Sequence, residues 1–90
     1  MNNNDKVNGY PVLEYTEFPA RRLTRAGRVI IAFREGHPVH QFVVAAQFAD
    51  ENGTYDSSWY QGYYHATLEE ALAEYYLQVE KYLPAAKQVA

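Results

Sequence analysis

The chain has 90 residues, no cysteine, 48% apolar residues and a formal charge of −3. These values exclude a disulfide scaffold and thiolate chemistry, and they leave room for one domain with a thin core. Modest charge and abundant aromatics argue against a disordered chain, and apolar runs such as Val29 to Phe33 are too short to cross a bilayer.

Residues 1–9, MNNNDKVNG, are polar and aperiodic and read as a flexible start, with no basic-then-apolar leader. Pro11 and Pro19 bracket the next stretch, which reads as an extended edge segment with Val12, Leu13, Tyr15 and Phe18 as apolar cover. ARRLTRAGRVIIAFREG predicts a hairpin turning at Ala26-Gly27, with RVIIAFR as its β-branched strand. A turn at EGHP leads to the long strand VHQFVVAAQFAD. Asn52-Gly53 then signals a hairpin into SSWYQGYYH.

The helix start is the strongest local signal. Thr67-Leu68-Glu69-Glu70 fits a capping box, and its two glutamates sit where the helix dipole favours anions. Leu68, Leu72, Tyr75, Val79 and Tyr82 form one apolar stripe, and Pro84 predicts the stop. The expected fold is α+β. An antiparallel meander of three to four strands spans about 20–65, and one C-terminal helix at about 68–83 packs on one sheet face. Residues 10–84 form the single domain, and 85–90 a short tail.

Side chains alternate along a strand, so each strand presents two sets. His40, Phe42, Val44, Ala46 and Phe48 are expected under the helix, with Val29, Ile31 and Phe33 of the preceding strand. In the last strand, Gly62 travels with Tyr60 and Tyr64, which places those tyrosines under the helix as well. Arg28, Ile30, Arg34, Gln41, Val43, Gln47, Trp59, Gln61 and Tyr63 then collect on the open face. A one-residue bulge would reverse the last strand. The open face is apolar and carries Arg, Trp and Tyr, the residues enriched at binding hot spots. The candidate contact residues there are Arg28, Arg34, Gln41, Trp59, Gln61 and Tyr63. The competing expectation is that residues 10–18 fold back and cover that face.

Charge is unevenly spread. Residues 1–45 hold six cations against four carboxylates, and residues 46–90 hold two against seven. All five arginines fall between positions 21 and 34. The acidic half suggests a second contact surface on the outer helix face: Glu69, Glu74, Tyr76 and Glu80. Carboxylates interleaved with tyrosines can compete with phosphate for arginine-rich grooves.

Catalysis is not expected. His37 and His40 form H-x-x-H across a turn, with His65 elsewhere, and no carboxylate has a telling spacing near them, so neither a metal nor a cofactor is implied. There is no G-x-S-x-G motif and no P-loop. The expected function is a small, non-catalytic, cytoplasmic binding protein that acts by protein–protein contact. It would inhibit or regulate a basic or nucleic-acid-handling partner, by analogy with small phage- and plasmid-borne inhibitors. A homodimer through the open sheet face is an accompanying expectation. The alternative is a single-stranded nucleic-acid binder using the arginines and rings of that face. The net charge of −3 and the lack of an RNP-like run stand against it. No membrane partner is expected.

Overall fold

A computed structural model describes residues 5–83, except for the side chain of Tyr60. The tail at 85–90 and the helix stop at Pro84 lie outside the described residues. Five strands precede one helix: β1 (Lys6–Val7), β2 (Tyr10–Phe18), β3 (Gly27–Phe33), β4 (Phe42–Phe48), β5 (Tyr60–His65) and α1 (Leu68–Tyr82). Every strand pairs antiparallel with its neighbour in sequence, so the sheet order is β1-β2-β3-β4-β5. The expected α+β meander with a C-terminal helix is present, with five strands in place of three to four.

The extra strands lie at the N-terminal end. Lys6 and Val7, within the stretch read as flexible, pair with Pro11 and Tyr10. The hairpin turns at Asn8-Gly9, both at positive φ (54° and 84°), which suits Asn-Gly better than any other dipeptide. Pro11 tolerates this position because only a two-residue strand flanks it. β2 pairs along its length with β3, from Val12↔Ala32 to Phe18↔Gly27. The expected turn at Ala26-Gly27 is therefore absent. Gly27 opens β3, and the chain reverses earlier, where Arg21 and Thr24 bridge around Arg22 and Leu23.

The β4–β5 connection turns at Asn52-Gly53. Asp50 Oδ1 accepts from the N–H groups of Asn52 and Thr54, both at 2.9 Å, and Gly53 takes a φ of 80°. The chain then passes Tyr55, which bridges Ala49, before β5 begins.

Two apolar layers lie on opposite faces of the sheet. On the helix side, Phe18, Val29, Ile31 and Val44 pack with Ala71 and Tyr75 of α1. Phe42, Phe48, Leu72, Val79 and Tyr82 extend this layer. The ring of Tyr82 stacks on that of Phe18, with centroids 4.5 Å apart. Tyr75 buries its ring and shares a hydrogen bond between its hydroxyl and that of Thr16. On the other face, Val7, Val12, Ile30, Ala32, Val43 and Ala45 form a second cluster, flanked by Tyr10 and Trp59. The sheet curls toward this cluster into a half-barrel, so the Asn8 N–H reaches the Ser57 carbonyl at 2.7 Å.

The helix starts where the capping box predicts, and the Thr67 half of the box is formed. Thr67 is extended, and its hydroxyl accepts from the Glu70 N–H at 3.1 Å. Thr67→Ala is expected to cost about 1 kcal/mol, within the usual range of about 0.5–2. A chemical-denaturation midpoint equal to wild type would show that the bond contributes nothing.

Candidate functional site

The open face is closed. Ile30, Ala32 and Val43 have no exposed area. The sheet's own curl, with Val7, Val12, Tyr10 and Trp59, covers them. This cover comes from the N-terminal hairpin and the edge of β5, and residues 10–18 take part as a paired strand. The broad apolar contact face drawn from alternation is a second core layer.

Arg28 lies within that layer, only 7% exposed. Its guanidinium donates twice to Asp5, at 2.9 and 3.0 Å, and once to Gln47 Oε1 at 2.7 Å. It lies over the rings of Tyr55 and Tyr15, at 4.5 and 5.1 Å from their centroids. Gln47 in turn donates to the Asp56 carbonyl at 2.6 Å. Arg28 is thus a buried tie among Asp5 just ahead of β1, Gln47 of β4 and the 55–56 segment, and its guanidinium does not lie on an open surface. The hydrogen bond from Arg28, helped by its charge, holds the Asp5 carboxyl below its ordinary range, against the opposing effect of burial.

Of the other open-face candidates, three gather at the rim. Trp59 stacks near Tyr10 (centroids 6.3 Å) and donates its indole N–H to the Tyr64 hydroxyl at 3.3 Å. Arg34 lies over the Tyr64 ring at 4.7 Å and donates to the His40 carbonyl through Nε and Nη2. The carbonyl of Gln41 accepts the Arg34 backbone N–H at 2.6 Å.

Gln61 and Tyr63 are elsewhere. The β4–β5 register slips between Val44 and Ala46, and Gln61 takes a φ of 52°. This bulge reverses the expected alternation: Tyr63 packs on the helix-side core, and Tyr64 joins Trp59. Gln61 is exposed and lines a groove of about 440 Å³ with Leu23, Arg25, Phe48, Lys81 and Tyr82. That groove joins the 21–25 loop to the last turn of α1.

The outer helix face holds three of its four expected residues. Glu69 and Glu80 are exposed, and Tyr76 is 64% exposed. Glu74 instead turns toward β5. It accepts from Gln78 at 2.8 Å and lies 3.8 Å from Nε2 of His65. Leu77, absent from the expected set, is 62% exposed. Its position was readable, since it lies across the helix from Ala71 and Tyr75. Leu23, 94% exposed between Arg22 and Thr24, has no such signal, since the sequence around it predicts a strand of the hairpin.

The histidines have local roles. His37 Nδ1 accepts from the His40 N–H at 3.2 Å, which fixes the turn between β3 and β4. Desolvation, then the nearby charges of Arg34 and His40, lower its pKa and favour the neutral ring that this bond needs.

No protein-family model matches the chain, and no curated protein or solved structure matches it. The class is therefore defined by the fold alone: a small α+β domain with two apolar layers. Among the described residues, no helix is long and apolar enough to cross a membrane.

Proposed function

We propose that this is a small non-catalytic binding protein that works by protein–protein contact through the outer face of α1. The observation that carries the reading is the pair Tyr76 and Leu77, both more than three-fifths exposed, beside the carboxylates of Glu69, Glu70 and Glu80. Large apolar groups held in solvent on a helix gain free energy when covered. The carboxylates around them select a basic cover and repel an acidic one. An inhibitor or regulator of a nucleic-acid-handling protein fits, because the arginine-rich grooves of such proteins supply that chemistry. A cytoplasmic setting belongs to the same proposal, motivated by the absence of cysteine.

The test uses a partner captured from lysate and a labelled single strand. Glu69→Lys with Glu80→Lys should weaken partner binding at least tenfold, and wild-type binding should fall with salt. Unchanged partner affinity would reject the helix face. The single-strand reading predicts the opposite response, with tighter binding to the labelled strand as repulsion from phosphate is relieved.

A further inference from the structure

We infer that the outer face of α1 and the 21–25 loop form one self-complementary surface that pairs two copies of this chain through a two-fold axis. The inference rests on the reading of the outer α1 face as a contact surface, and it names a second copy as an occupant that a basic partner must displace.

Three observations combine. Glu70, Leu77 and Lys81 are spaced by seven and four residues, so they fall on one line along the helix. The acidic end is the first turn, with Glu69 and Glu70. The basic end is the 21–25 loop, whose Leu23 and Arg25 share a groove with Lys81 in the last turn, where Lys81 also stands next to Glu80. Arg21 and Arg22 are exposed in the same loop and add to its positive charge. The two most exposed large apolar residues of α1, Tyr76 and Leu77, lie near its middle, and Leu68 is exposed at its acidic end.

A line that runs acid, apolar, base is complementary to itself when reversed. Glu70 and Lys81 are separated by about 16 Å along the axis, at about 1.5 Å per residue. A second helix laid antiparallel across the first brings its own middle onto Tyr76 and Leu77. Each basic loop then meets the other copy's Glu69 and Glu70. The contact is isologous and closes at two copies, so it predicts a dimer and no filament. Like charges would meet in the parallel arrangement, which disfavours it. The loop's Leu23 joins the same surface at its basic end and is covered with it.

Sedimentation of the purified full chain at about 0.05 M and about 0.5 M salt tests this, because exposed charge pairs are screened at the higher value. At low salt the mass should rise with concentration toward twice the 10.4 kDa of the chain, and it should fall back at high salt. Arg21→Glu with Arg22→Glu, and separately Glu69→Lys with Glu70→Lys, should each weaken pairing at least tenfold. An equimolar mixture of these two variants should restore it, since both contacts in the mixed dimer join opposite charges. Leu77→Ser changes no charge and should also weaken pairing at least tenfold, which separates the surface from general attraction between oppositely charged proteins. Far-UV spectra of all variants should match wild type. A wild type that keeps the mass of one chain at every concentration overturns the inference, as does a dimer that Leu77→Ser leaves intact or a mixture that fails to pair. The proposed function fails on a different readout. A monomer whose partner binding still depends on Glu69 and Glu80 keeps that reading and loses this one. A dimer whose captured partner ignores those glutamates does the reverse.

Discussion

Arg28→Ala is expected to lower the free energy of unfolding by about 3–5 kcal/mol, the usual cost of removing one partner from a buried ion pair. Three charge-assisted hydrogen bonds disappear with the guanidinium. The Gln47 side chain, 1% exposed, loses the donor to its Oε1 and has little access to water as a replacement. Asp5 can partly rehydrate because its side chain is 23% exposed, which draws the cost toward the lower end. The rings of Tyr15 and Tyr55 also lose the group they lie against. Urea denaturation at neutral pH measures the difference. Acid provides an independent check. The Asp5 pKa is lower in the folded chain, so its stabilising contribution is complete above the unfolded value of about 3.9 and is lost as pH falls through the folded value. Asp5→Asn should therefore be less stable than wild type at neutral pH, and the gap should close in strong acid. Equal pH dependence in the two proteins would mean that the ion pair contributes nothing.

Gly27→Ala is the second change with a large expected effect. A Cβ at this position would collide with the Gln47 backbone carbonyl and the ring of Phe18. Neither can yield easily: the carbonyl belongs to β4, and Phe18 is buried against Tyr82. The β3–β4 ladder must shift, at a cost near or above the upper end of the ~1–3 kcal/mol typical of overpacking. Gly53→Ala is the control. Nothing lies within 4 Å of its added carbon, and its φ of 80° imposes only left-handed backbone strain of about 1–2 kcal/mol. Thermal midpoints of the two variants should fall in that order. A Gly27→Ala protein as stable as wild type would show that β3 and β4 are not so closely apposed.

The parts of the fold readable from sequence are those written in local chemistry. Thr67 and Glu70 marked the helix start, and Leu72, Tyr75, Val79 and Tyr82 of the expected stripe lie on its packed side, whereas Leu68 is 43% exposed. The alternation in β4 correctly assigned Phe42 and Val44 to the helix side. Asn8-Gly9 carries the same turn signal as Asn52-Gly53, but the polar residues around it masked a strand of only two residues. Other features depend on distant partners. Gly27 looks like a turn residue, although its lack of a side chain serves the approach of a strand twenty positions away. The bulge at Gln61 has no residue-type signature, because glutamine is not a usual choice for positive φ. One slipped residue there exchanged the faces of Tyr63 and Tyr64. Alternation also cannot tell an open sheet face from one closed by curling, so Arg28 read as a contact residue when it is a buried tie. On the helix, periodicity located Glu69, Tyr76 and Glu80 outside, but Glu74 follows His65 and Gln78 inward.

The neighbour-to-neighbour strand order bears on how the chain acquires its structure during synthesis. Each ladder joins segments made one after another, so the sheet can grow strand by strand with short loop closures and little long-range search. The helix side behaves differently. Val29, Ile31 and Val44 have strand neighbours such as Phe18 beside them, and Ala71 and Tyr75 of α1 complete their layer. A chain that has emerged from the ribosome through residue 66 can thus hold the meander with its helix-side surface still bare. Its β5 edge is also fresh. Translational pausing at that point should favour capture by chaperones or aggregation, and release of the 68–82 segment should end the hazard in one step.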